Sequence, residues 1–204
     1  MKKYFAALTT TALISVAPFA LAGPSTDLTV SGVITPAACT PTLSSGGVID
    51  LGSISYHELK KDENTKLDDH DITLTMDCDG STGFAIIAID NRSGSGIGDG
   101  FGLGLNDGEP VGYFIPLIQT VTADADTVYP IESNDSGVTW ATTDAAKPGY
   151  WLSAAATSGG TTPIDAKLVT VDFKVETYII RADQLTLNGD LDIDGSATFE
   201  VKYL

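Results

Sequence analysis

The chain has 204 residues, with 27 Asp and Glu against 11 Lys and Arg, for a formal net charge of −16. So acidic a balance argues against nucleic acid or an anionic membrane surface as partner, because both are bound by neutralising phosphates with Lys and Arg. The length suits one domain with an ample core, and the charge suits an exported protein that has to stay soluble.

Lys2 and Lys3 precede an apolar stretch from Tyr4 to Ala22 that is interrupted by Pro18 and ends in Ala20-Leu21-Ala22. A basic start, a short apolar run and an A-x-A end predict a signal peptide over residues 1–22, with no membrane insertion after its cleavage. No other stretch approaches the roughly 20 apolar residues of a membrane-spanning helix. Residues 23–204 are expected to form a single exported domain.

Leu28, Val30, Gly32 and Ile34 stand at alternate positions and predict a first strand. Cys39 and Cys78 are the only cysteines. In an oxidising compartment an even pair predicts a disulfide, and closing a loop of about 40 residues would stabilise the fold by roughly 4 kcal/mol. A zinc site with His57 and His70 is the alternative, but C-x-x-C and H-x-x-x-H spacings are absent. Tyr56 to Leu67 is a short, charged helix candidate that could equally be loop.

Ile72, Leu74, Met76 and Cys78 alternate with Thr73, Thr75 and Asp77, which places Cys78 on an inward face. Phe84 to Ile89 is apolar on both faces and suits a central strand. The glycine run from Gly94 to Gly104 has no following Lys and no G-x-G-x-x-G, so it is expected to be a flexible loop rather than a phosphate cradle. Tyr113 to Ile118 is apolar, but Pro116 would break a central ladder and predicts an edge strand.

Ser133 to Trp140 fits the Asp-box pattern S-x-D-x-G-x-T-W. A single copy is expected to build a tight turn in which Asp135 accepts amide hydrogen bonds and Gly137 takes a left-handed backbone. A propeller would repeat the unit, and a sialidase site resembles an arginine triad, whereas only Arg92 and Arg181 are present. Val169, Val171, Phe173 and Val175 form the clearest amphipathic strand.

Asp190, Asp192 and Asp194, followed by Gly195, match the first half of a calcium loop, D-x-D-x-D-G. Position 12 is Val201 rather than Glu, and Leu191 and Ile193 look like strand residues, so a solvated inter-strand loop is the expectation. His57-Glu58 has no second His four residues on, and no serine sits in G-x-S-x-G. No catalytic constellation, metal site or cofactor is expected, and the protein reads as a non-enzyme.

Ala197, Phe199, Val201 and Tyr203 alternate with Ser196, Thr198, Glu200 and Lys202. A C-terminal strand is therefore expected, and burial of Phe199, Val201 and Tyr203 would contribute on the order of 5–8 kcal/mol before entropy is subtracted. Many short strands between Gly, Ser and Asp turns give an all-β sandwich.

Three stretches resemble chaperone–usher fimbrial subunits: Leu28 to Cys39 (LTVSGVITPAAC), Ile72 to Cys78 (ITLTMDC), and Val171 to Leu204, which ends in DGSATFEVKYL. Asp90-Asn91-Arg92, Phe101 to Leu105 and Val138-Thr139-Trp140 look like the fimbrial-like secreted proteins grouped as a domain of unknown function with β-type fimbriae. The resemblance covers most of residues 27–204. It implies an immunoglobulin-like (pilin-type) sandwich lacking its final strand, with a groove beside Ala197, Phe199, Val201 and Tyr203.

A periplasmic chaperone, and then the N-terminal extension of another fimbrial subunit delivered at the usher, would fill that groove by strand addition. Only Gly23 to Asp27 precede Leu28, against the ten or more residues of a donor strand, and Leu191 stands where such subunits carry a glycine. The resemblance therefore implies a strand acceptor at a terminal position, passing through the periplasm to a fimbrium or the cell surface, in cell adhesion. The alternative is a free-standing secreted or periplasmic carbohydrate-binding sandwich using loops near Trp140 or Tyr150-Trp151.

Overall fold

A computed structural model describes residues 28–31, 38–187 and 189–204. Met1–Ile34 and Thr35–Leu204 are separate units. In the first, residues 28–31 carry no strand, and the expected signal peptide lies outside the described residues. Residues 32–37 also lie outside them, so the expected first strand is seen only as the unstructured stretch 28–31.

Among the described residues the second unit holds twelve strands. These are β1 (Cys39–Leu43), β2 (Thr65–Lys66), β3 (His70–Asp90), β4 (Phe101–Gly102), β5 (Leu105–Asn106) and β6 (Glu109–Pro110). They continue as β7 (Gly112–Ala123), β8 (Asp126–Ser133), β9 (Ala141–Thr142), β10 (Trp151–Ala155), β11 (Asp165–Ile179) and β12 (Ala197–Tyr203). No α-helix occurs among the described residues. The Tyr56–Leu67 candidate is a single 3₁₀ turn at Tyr56–Glu58 followed by β2.

The architecture is an all-β sandwich whose two sheets share strands at their corners. The first half of β3 pairs with β1 and β11, and its second half pairs with β12 and β10. β8 makes the same change of sheet, pairing β7 at Val128 and β10 from Tyr129 to Ser133. With β7 pairing β11, the strands β3, β10, β8, β7 and β11 close into a ring. Every pairing is antiparallel.

Period-2 patterning explains the core. Leu74, Met76 and Cys78 of β3 lie beside Val169, Val171 and Phe173 of the neighbouring β11 on one inner face, all nearly inaccessible. Phe84, Ala85 and Ile86 are buried in succession, as expected for the stretch of β3 flanked on both sides. Cys39 and Cys78 stand opposite one another in the β1–β3 register and are disulfide-bonded. A smaller cluster, Leu103, Val111, Ile179, Ile180 and Leu185, closes one end.

Two expectations are corrected. β7 is not a free edge: β11 pairs with it throughout, and its other side meets β4, residues 144–146 and β8 in turn. Pro116 is tolerated because its missing N–H points toward residues 144–146, where its own carbonyl accepts from Ala146 N (3.0 Å). The glycine run is packed at Gly96, Gly100 and Gly102, while Gly94 and Gly98 lie open. A Cβ on Gly102 would lie 2.2 Å from Ser95 Oγ, and one on Gly100 would lie 2.6 Å from the Tyr113 ring. Glycine serves there for close approach, letting Phe101 and Leu103 reach the interior.

Candidate functional site

β12 pairs with β3 along one edge, from Ala197 opposite Asp90 to Tyr203 opposite Phe84. Among the described residues its other edge has no strand, and β1 likewise pairs only with β3. The two open edges converge where Cys39 N donates to Tyr203 Oη (2.9 Å). Away from that point they frame a groove.

One stretch of the groove, a cavity of about 250 Å³, has Leu43, Gly47, Ile49 and Leu51 on one wall and Ile193, Gly195, Ala197 and Phe199 on the other. Its floor is inward-facing side chains of β3, β7 and β11: Ile72, Phe114, Pro116, Phe173, Val175 and Thr177. Ile49, Leu51 and Ile193 also line a second cavity of about 600 Å³, which runs on between Ser53–Leu59 and Leu185–Asp192 over Val111 and Ile179. The two are continuous through these shared residues.

The walls are short of backbone partners. Among the described residues, Ile49–Ile54 make no backbone–backbone hydrogen bond, and neither do Leu187 or Gly189–Ile193. Ile49, Leu51 and Ile54 are part-buried while Asp50 and Ser53 are exposed, so this wall presents apolar groups to the groove and leaves its backbone groups open to a partner.

The opposite wall is held in place. Arg92 Nε and Nη2 donate to Asp194 Oδ2 (2.9 and 2.6 Å), Asp194 N donates to Leu103 O (3.0 Å), and Asn91 Nδ2 donates to Ser196 Oγ (2.9 Å) and Thr198 Oγ1 (3.0 Å). Asp90 ties the base of this clamp by accepting from Arg92 N and Gly102 N. Gly195 has to be small, since a Cβ there would lie 2.7 Å from Leu103 Cδ2.

Of the residues expected to line a groove, Ala197 and Phe199 do so, and Val201 packs against the core. The Phe199 ring stacks on Phe173 with centroids 5.8 Å apart. Tyr203 is 38% exposed and acts through its hydroxyl at the closed end. Among the described residues nothing covers the open side of β12, so the burial of all three apolar side chains is smaller than expected. Sequence reasoning missed the Ile49–Ile54 wall and the floor, although Ile49 and Leu51 alternate with polar residues as a strand does.

The other motifs are structural. Asp135 Oδ1 accepts from Thr139 N (2.9 Å) and Ser133 Oγ (2.7 Å), its Oδ2 accepts from Thr139 Oγ1 (2.6 Å), and Gly137 has φ +86°. Those hydrogen bonds, led by the Thr139 hydroxyl, hold the Asp135 carboxyl at about 2. Trp140 Nε1 donates to Gly137 O (3.1 Å), and Trp151 lies against Gly137, so both indoles pack the turn. Lys147 Nζ sits 5.4 Å from the Tyr150 ring centroid.

In the Asp190–Gly195 segment Asp194 is committed to Arg92, and Asp190 to Ile193 line the groove. No group of three or more His, Cys, Asp or Glu is placed to hold a metal among the described residues. His57 and Glu58 sit exposed in the 3₁₀ turn.

Residues 28–104 match the family described as "Protein of unknown function (DUF1120)". In the described residues the matched region holds β1, β3, the disulfide, the Ile49–Ile54 wall and the packed glycines up to Gly104, and stops short of β7, β11 and β12. The chain is similar to the protein named "Uncharacterized protein YhcF" of Escherichia coli (strain K12), with 38% identity over 80 residues, 38% of this chain and 34% of that one. The chain thus matches about a third of that relative's length. It is also 27% identical to "Protein GltF" of the same organism, over 97% of this chain and 98% of GltF. The DUF1120 match and the likeness to GltF together extend from the disulfide region to the groove-forming C-terminal strand.

Proposed function

We propose that this protein is a non-enzymatic fimbrial or fimbrial-like surface subunit that accepts a strand from another protein and takes part in cell adhesion. One observation carries the reading: a continuous groove lies between two strand edges that lack partners among the described residues, with apolar core side chains as its floor. An extended segment entering there would pair its backbone with β12 and the Ile49–Ile54 wall. Its alternate side chains would reach Phe173, Phe114 and Phe199. An open edge of this kind is an aggregation hazard unless something covers it.

The expected partners are a periplasmic fimbrial chaperone, an usher and other fimbrial subunits. The expected route is export through the periplasm to a fimbrium or the cell surface. No reaction is assigned to the groove, because its lining side chains are apolar apart from Ser53, Tyr56, Thr177, Ser196 and the rim carboxylates.

Hydrogen exchange tests this. The purified protein is measured alone, with a co-expressed periplasmic chaperone, and with the N-terminal peptide of a fimbrial subunit encoded beside it. Protection should appear at Ile49–Ile54, at Leu191–Ile193 and along β12 in at least one complex. Unchanged exchange at these walls with every partner would refute strand acceptance.

A further inference from the structure

Resting on the strand-acceptor reading, we infer that the groove's occupant is an extended segment of a different protein, apolar at alternate positions and carrying Lys or Arg at one end. The charge follows from an asymmetry along the groove. The stretch between Leu43 and Phe199 has no charged side chain in its lining. The stretch that continues past Ile193 has Asp50 on one wall and Asp190 and Asp192 on the other, and no Lys or Arg lines it.

These carboxylates are unspent. All three residues are exposed, and none takes part in an ion pair among the described residues. Asp50 accepts only the Gly52 amide (2.9 Å). By contrast Asp194, next along the same segment, is neutralised by Arg92. A strand laid between the walls passes within reach of both carboxylate-bearing segments, so a cation on it finds acceptors on either side, while an acid there is repelled.

The same asymmetry argues against the N-terminal stretch of a second copy as the occupant. With the expected signal peptide removed, that stretch, residues 23–38, contains no Lys or Arg and one acid, Asp27. A second copy would bring negative charge or none to the acidic end, so the groove is built for a heterologous partner.

The test uses the purified protein and labelled peptides of about 12 residues, long enough to run roughly 40 Å when extended. The peptides alternate valine with threonine and carry two lysines or two glutamates at either the N- or the C-terminal end. Affinities are read by fluorescence anisotropy at low salt and at about 0.5 M salt, where exposed pairs are screened. One lysine peptide should bind about tenfold more tightly than its glutamate counterpart at low salt. That preference should fall to about twofold or less in high salt and in the Asp50→Asn, Asp190→Asn, Asp192→Asn triple variant.

Because the three side chains are exposed, the variant is expected to fold, and its thermal midpoint is checked alongside. Equal binding of lysine and glutamate peptides, or a preference that survives in the triple variant, would overturn the charge assignment while leaving strand acceptance standing. Absence of binding by every peptide would overturn both.

Discussion

Phe199 offers the sharpest link between the packing and the proposed role, because its ring faces both the core and the open groove. It stacks on Phe173 at 5.8 Å and is only part-buried. Truncating a fully buried Phe costs about 3–5 kcal/mol, so Phe199→Ala should lower stability by less, about 2–3 kcal/mol. For a domain of this size that corresponds to a fall in thermal midpoint of roughly 5–10 °C. A strand seated in the groove would cover what remains exposed, on the order of 50 Å² of a ring, worth about 1 kcal/mol more.

Phe199→Ala should therefore also weaken binding of a donor-strand peptide by about fivefold. The assay is thermal unfolding followed by peptide titration of wild type, Phe199→Ala and a control, Glu200→Ala. Glu200 is exposed on the other face of β12, and its loss should change stability by no more than about 0.5 kcal/mol. Unchanged peptide affinity in Phe199→Ala, with the thermal midpoint lowered, would show that the ring serves the core alone and that no strand passes over it. An unchanged thermal midpoint would refute the packing on Phe173 as well.

Three other outcomes are expected. Cys39→Ser should remove roughly 4 kcal/mol by releasing a loop of about 40 residues and leaving Cys78 unpaired in the core; denaturant unfolding reads the loss, and mass spectrometry of the native protein should find no free thiol. The Asp135 carboxyl is held at about 2, below its value of about 3.9 in an unfolded chain. Its contribution is therefore present above pH 4 and is lost as pH falls through 2, so the acid-side stability profile of Asp135→Ala should be flatter there than that of wild type. Gly102→Val should destabilise by more than about 2 kcal/mol, since its side chain would meet Ser95 Oγ and Arg92 O well inside contact distance; circular dichroism melting checks it.

The parts of the fold legible in the sequence are those where one face is buried and the other solvated. Ile72 to Cys78 and Val169 to Val175 show strict alternation because a shift of one residue would turn every apolar side chain outward. Phe84 to Ile86 lost that alternation, and the loss was itself readable as two-sided burial. Pro116 misled because a missing N–H says only that no donor is needed on that side. It does not say that residues 144–146 cover the strand. Gly94 to Gly104 misled because glycine marks either conformational freedom or close approach, and the side chains that decide, Ser95 and Tyr113, are recognisable only once they are folded against it.

The groove itself was half legible. Alternation at Ala197 to Tyr203 announces a strand but carries no sign of how many neighbours it has, since a paired edge and an open edge show the same period. The topology supplies the missing fact. β3, β10, β8, β7 and β11 close on one another, so most of the core is enclosed without help from β1 or β12. Those two strands hang from opposite halves of β3, one tied by the disulfide and the other by its ladder and the Arg92–Asp194 clamp. The seam between them can stay open while the ring holds, because its opening leaves only Phe199, Val201 and the facing wall incompletely covered. The exposed Thr198 and Glu200 and the part-buried Lys202 on the outer face of β12, with Asp50, Asp190 and Asp192 along the rim, keep that seam from pairing indiscriminately. An entering strand has to meet an apolar floor and an acidic end together, and that double requirement gives an otherwise generic edge its selectivity.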